Sequence, residues 1–141
     1  MAATNTLLTP ETSTMLLVDL QAGLGFGVES ASRQVLLNNA VALARTAAAF
    51  SVPVVVSTSA SRVYSGPLLP ALQDALPGVR AIEPKPMNVW EDETARNAVR
   101  ATGRKRLILA GFLTEARAIV VANAGGYGMG LAYAREMIHP A

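Results

Sequence analysis

The sequence predicts one α/β domain of three layers, a parallel sheet with helices on both faces. Three observations lead there. Short apolar runs rich in β-branched residues recur, as in Met15-Leu16-Leu17-Val18 and Val54-Val55-Val56. Stretches with helical spacing lie between them. The 141 residues suit a single domain, expected to span 1–141, and can bury roughly two-thirds of the unfolded surface without disulfide or metal.

Thr14 to Val18 is unbroken in its apolar character and ends at Asp19, the pattern of a strand buried on both faces. A Gly-rich loop follows. Ser32 to Phe50 carries Val35, Leu36, Ala40, Leu43 and Ala47 at helical intervals. Pro53 to Ser57 is the second strand, and a loop with Ser59, Ser61 and Ser65 leads to Gly66-Pro67. Leu68 to Leu76 is a short helix stopped by Pro77-Gly78, and Val79 to Ile82 a short third strand. Pro84 and Pro86 make Glu83 to Trp90 a loop. Glu91 or Asp92 opens a helix that ends at Gly103, and Lys105 to Gly111 is the fourth strand. Thr114 starts another helix. Leu131 to Tyr133 has the makings of a frayed fifth strand, and Ala134 to Ile138 of one helical turn. Alternating strands and helices at this spacing imply a Rossmann-like parallel sheet with right-handed crossovers.

Several functions are excluded or left without support. A chain with no cysteine has no disulfide, thiolate metal site or cysteine nucleophile. Its one histidine, His139, gives a structural metal site or a histidine-based triad nothing to build on, so neither metal nor cofactor is expected. Arg100, Arg104, Lys105 and Arg106 cluster, but a nucleic-acid surface needs a longer stripe with interleaved aromatics, and they fit a helix C-terminus instead. No apolar run approaches 18 residues, and Met1 to Pro10 lacks signal-peptide character, so the cytoplasm is the default location. Charged residues are only 16% of the chain, a sparse coat that suggests part of the surface is covered by other copies.

Ligands of open α/β sheets bind outside the carboxyl ends of the strands. Asp19 follows the first strand there, Lys85 the third, and Thr114 to Arg117 the fourth. Each also has a plainer reading. Asp19 can cap the following loop, Lys85 can be a solvated cation between prolines, and Thr114 with Glu115 can simply start a helix. Gly23, Gly25 and Gly27 miss the GxGxxG spacing of dinucleotide binders. The glycines from Gly125 to Gly130 suit a flexible turn better than a phosphate cradle.

Four segments in order resemble the isochorismatase-like hydrolase superfamily: LLVDLQAG (Leu16 to Gly23), GPLLPAL (Gly66 to Leu72), PMNVWED (Pro86 to Asp92) and ATGRKRLILAGFLTEA (Ala101 to Ala116). The likeness covers about Thr14 to Tyr127, and within the superfamily it runs to a bacterial subgroup of octameric small cysteine hydrolases. It implies hydrolysis of a small amide or related C–N substrate, a homo-oligomer, and a triad of aspartate, cation and cysteine. Asp19 falls on the aspartate, the base for the thiol proton. Lys85 stands one position away from the usual cation. Arg117 occupies the position of the nucleophile, and a guanidinium cannot attack a carbonyl.

The resemblance further implies an oxyanion hole from the backbone N–H groups of Leu113 and Arg117, with a cis peptide between Phe112 and Leu113. It makes Trp90, Phe26 and Asn88 the substrate-facing residues, although Trp90 can equally be an anchor for its loop. Arg117 has three readings: an internal partner for Asp19, a grip for a carboxylate ligand, or a solvated surface residue. After Gly126-Tyr127 little chain is left for the family's last strands, so a shortened C-terminal part is expected. The alternative to an enzyme is an inactive relative that assembles or binds a small acid.

Overall fold

The computed structural model describes residues 8–112 and the backbone course of 130–133. Strand β1 (Ser13–Val18) is buried throughout. Its side chains alternate, Met15 and Leu17 entering one apolar cluster and Leu16 and Val18 another. A strand covered on both faces has no polar side, hence the unbroken apolar run. On one side β1 pairs with β2 (Val54–Ser57), and on the other with β4 (Arg106–Gly111), where Val18 lies opposite Gly111. β3 (Ala81–Ile82) adds beyond β2 and β5 (Gly130–Tyr133) beyond β4. The order is β3-β2-β1-β4-β5, with every pairing parallel.

Helix α2 (Arg33–Ala49) returns the chain from β1 to β2. Ser32 caps it by accepting the Val35 N–H at 3.3 Å, and Leu36, Ala40, Ala44 and Ala47 form its buried stripe. α3 (Pro70–Ala75) opens on a proline, whose missing N–H costs nothing at that position, and buries Leu72 in the same cluster. α4 (Glu93–Ala101) is capped by Asp92, which accepts the Ala95 N–H at 2.9 Å, and lays Ala95 and Val99 into the other cluster with Trp90. Right-handed crossovers account for the two faces. The chain winds outward from β1 to β3 and then back past β1 to β4, so the helices of the two directions cover opposite sides.

Four local differences from the sequence reading have physical causes. The Gly-rich loop contains a single helical turn, α1 (Ala22–Gly25), closed by the Gly25 N–H to the Gln21 carbonyl at 3.1 Å. β3 is shorter than Val79 to Ile82 because the Val79 N–H is spent on the Leu76 carbonyl, closing the turn after α3. The proline loop includes a 3₁₀ turn, Val89–Glu91. The fifth strand includes Gly130, opposite Arg106 of β4. The segments 113–129 and 134–141 lie outside the described residues, and with them fall the helix from Thr114, the turn at Ala134 to Ile138 and His139. Among the described residues no helix is long and apolar enough to cross a membrane.

Candidate active site

The strand order reverses its winding between β1 and β4, so the crevice of an open sheet belongs at the carboxyl ends of these two strands. The register pairing Val18 with Gly111 brings the next residues, Asp19 and Phe112, side by side as the strands end. Such close approach needs a glycine, since a Cβ on Gly111 would stand 2.7 Å from the Val18 carbonyl oxygen. Asp19 leaves the strand in the left-handed region, at φ 56°, and is only 6% exposed. Its N–H donates to the Ser57 carbonyl at 2.9 Å, and its carbonyl accepts the Gln21 N–H at 2.9 Å. Left-handed backbone is uncommon outside glycine, although Asp tolerates it better than most. Where it persists at a buried acid on the switch point, the surrounding structure enforces it, a common feature of functional sites.

Much of that enforcement comes from Gln21, which the sequence reading passed over. Its side chain is fully buried, and its amide oxygen and nitrogen together make three hydrogen bonds to the next loop. Oε1 accepts the Ser59 N–H at 2.8 Å, while Nε2 donates to the carbonyls of Ser59 at 2.9 Å and Gly66 at 2.6 Å. Backbone bonds continue the seam: Gly23 N–H to Ser65 at 2.9 Å, Ala22 N–H to Pro67 at 3.2 Å, and Leu69 N–H to Leu20 at 3.1 Å. The signal in the sequence was a glutamine three residues beyond an apolar strand, where only a partnered amide can be buried.

On the α2 side the ring of Phe112 closes the end of β4 and is 8% exposed. Beside it is a small, largely apolar recess of about 110 Å³, walled by Ala22, Gly25, Leu36, Leu69 and Phe112, with Arg33 also in its wall. The Arg33 guanidinium lies 4.3 Å from the centre of the Phe26 ring, a cation–π pair, while Phe26 itself is 71% exposed. Phe26 therefore stands at the outer surface near the N-terminus of α2.

Trp90 is on the opposite face. It is buried with Leu16, Val18 and Val99, and its carbonyl accepts from Arg96 Nη1 at 3.0 Å. Asn88 is buried beside it. Its Oδ1 accepts the Trp90 N–H at 3.0 Å and its Nδ2 donates to Glu91 at 3.3 Å, so it starts the 3₁₀ turn. Asn88 and Trp90 are thus brought together by local structure, while Phe26 is kept apart from them.

Lys85 is exposed, between the buried Pro84 and the half-buried Pro86. Its loop is anchored by Glu83, whose carboxylate takes the Ser61 N–H at 3.0 Å and the Ser61 hydroxyl at 2.5 Å. Leu113 and Arg117, and the peptide between Phe112 and Leu113, lie outside the described residues.

An Isochorismatase domain family model matches residues 13–117, which take in β1 through β4. The chain belongs to the isochorismatase family. Among isochorismatase relatives, the probable hydrolase YcaC of Escherichia coli K12 is 40% identical over 102 residues, 72% of this chain and 49% of that protein. The crystal structure of the Escherichia coli YcaC gene product, described as an octameric hydrolase of unknown specificity, superposes with a TM-score of 0.82 at 36% identity. That match covers 88% of this chain and 62% of the other. YcaC from Pseudomonas aeruginosa, solved with hexane-2,5-diol and covalent acrylamide, gives 0.85 at 34% identity over 92% of this chain and 65% of that one. The chain spans about half the length of the curated isochorismatase relative it matches.

Proposed function

We propose that this chain is a hydrolase of the isochorismatase family acting on a small amide or related C–N substrate, with Asp19 as its proton acceptor. The observation that carries this reading is the buried Asp19 held in left-handed backbone where β1 and β4 end together. Without cysteine the thioester route is unavailable, so the nucleophile in this reading is water. Asp19 takes its proton as the oxygen attacks the carbonyl carbon. The same proton then passes to the departing nitrogen, leaving an acid and an amine. Leu113 and Arg117 are proposed to supply backbone donors for the developing oxyanion, and Lys85, on the loop after β3, a cation. The recess beside Phe112 offers an apolar wall on one face of the sheet, with Phe26 near its rim through Arg33, while Asn88 and Trp90 are proposed to border the site from the other face. Covalent acrylamide in the Pseudomonas aeruginosa relative supports small amides as the compounds to try.

A second reading is favoured by one feature, the arginine at position 117. It makes the chain an inactive relative that binds a small acid through the planar guanidinium fork. In either reading the chain self-associates, as the octameric Escherichia coli relative does, and resides in the cytoplasm without nucleic-acid or membrane partners.

An amidase screen of the native chain beside Asp19→Asn and Arg117→Cys separates the two. Turnover by the native chain that falls at least a hundredfold in Asp19→Asn supports the water route. Silence in the native chain, with turnover appearing only in Arg117→Cys, rejects it for the second reading.

A further inference from the structure

We infer that the recess beside Phe112 binds a short-chain monocarboxylate, the alkyl chain among its apolar walls and the carboxylate on Arg33. The site is on the α2 face, opposite Asn88 and Trp90, and stands whether or not Asp19 is active. Its size and lining select the tail. Leu36, Leu37, Leu69 and Phe112, with the small Ala22 and Gly25, enclose about 110 Å³. A cavity of roughly 150 Å³ takes a benzene ring, so this smaller one suits an alkyl chain of about three carbons, as in butyrate. Each CH₂ buried there should tighten binding about fourfold.

Charge selects the head. Among the described residues of the wall Arg33 alone is charged. Its guanidinium stacks on the Phe26 ring and makes no ion pair among the described residues, not even with Glu29 four positions earlier. Stacking uses the face of the guanidinium and leaves its in-plane N–H donors, which fit a carboxylate in bidentate fashion.

The place of Arg33 in the helix points the same way. It is the first residue of the 17-residue α2, whose first turn holds no acid. The helix dipole disfavours a cation at that end and favours an anion. A carboxylate on Arg33 answers both the unpaired guanidinium and the positive end of α2. An inorganic anion would need no apolar chamber, and an uncharged alkyl group no arginine. Ala22 follows Asp19 by three residues, and Phe112 ends β4 beside it, so an acid held here borders the candidate site.

Butyrate titrated into the methyl-labelled chain and followed by NMR reads the site directly. The methyl signals of Leu36, Leu37 and Leu69 should shift, while those of Val89 and Val99 on the other face stay in place. Acetate and n-butanol, each lacking one half of the ligand, should bind about tenfold more weakly or worse. Arg33→Gln, at an exposed position, should lose a similar factor. Gly25→Val narrows the recess from within, since a Cβ on Gly25 would stand 3.5 Å from the Phe112 ring, and should abolish the shifts. Melting curves within a few degrees of the native chain establish that both variants are folded. No leucine shifts at tens of millimolar butyrate, or acetate bound as tightly as butyrate, overturns the site. So does full affinity in a folded Arg33→Gln. Affinity lost in Arg117→Gln but kept in Arg33→Gln assigns the acid to the second reading above and overturns this site as well.

Discussion

The two ends of the sheet use glycine for opposite reasons. At the carboxyl edge Gly23 and Gly111 are there because no space exists for a side chain. A Cβ on Gly23 would meet the Tyr64 carbonyl oxygen at 2.2 Å and that of Ser65 at 2.8 Å. At the amino edge Gly78 and Gly103 have nothing within 4 Å of such a Cβ, and their φ angles of 82° and 68° are the whole reason for them. Buried polar groups divide the same way. Asp19, Gln21, Ser57, Thr58, Ser65 and Asn88 are buried at the carboxyl edge, against Ser13 and Thr14 at the other. One edge is crowded and polar, the other open with ordinary turns. The crowded edge is also where the buried acid falls.

The largest expected effect breaks the crowded edge. Gly23→Ala forces apart two backbones that the Gly23 N–H bond to Ser65 holds at 2.9 Å, and should cost about 3 kcal/mol or more, or prevent folding. Gly78→Ala meets only left-handed backbone, about 1–2 kcal/mol. Urea midpoints of the two variants decide whether crowding or conformation governs. Equal losses would dissolve the distinction between the edges.

Next in size is Gln21→Leu, which keeps the volume but strands the Ser59 N–H and the carbonyls of Ser59 and Gly66 inside the protein. These three groups are partly buried and recover some hydration, so together their loss should cost about 2–4 kcal/mol. At the amino edge the analogous side-chain-to-backbone bond, Arg104 to the Glu11 carbonyl, is at the surface, and Arg104→Ala should cost within about 0.5 kcal/mol. Amide exchange at Ser59 adds a local readout. It should accelerate strongly in Gln21→Leu and stay slow in Arg104→Ala.

The sheet was legible because its central strands are covered on both faces, which writes itself as the unbroken run Met15 to Val18. The helix start at Asp92, offered beside Glu91, was legible too, since cap chemistry is local, while the cap at Ser32 comes from the structure. What escaped is non-local. The Gln21 amide finds its partners 38 and 45 residues away, and nothing in the neighbouring letters announces them. Nor does a tryptophan in a loop declare its side: Trp90 is buried against Val18 and Val99, a role set by α4 folding over that face. Asp19 was found as a strand-end acid, while its left-handed backbone follows from the seam behind it and is invisible in composition.

The smallest effect belongs to the open edge. Glu11, just before β1, has its carboxyl held below the usual carboxylate range by a hydrogen bond from its own backbone, then by the Thr9 hydroxyl, with a lesser contribution from Arg104. A group ionised more readily folded than unfolded adds stability above the usual carboxylate range and loses it as pH falls through the lowered value. Glu11 is fully exposed, so solvent screens the effect and it should be slight. Glu11→Gln should therefore match the native chain's melting midpoint at low pH and fall just below it near neutrality. A gap that widened on acidification would give Glu11 the opposite sign. A gap as large as that of Gln21→Leu would mean the amino edge is as tightly determined as the carboxyl edge.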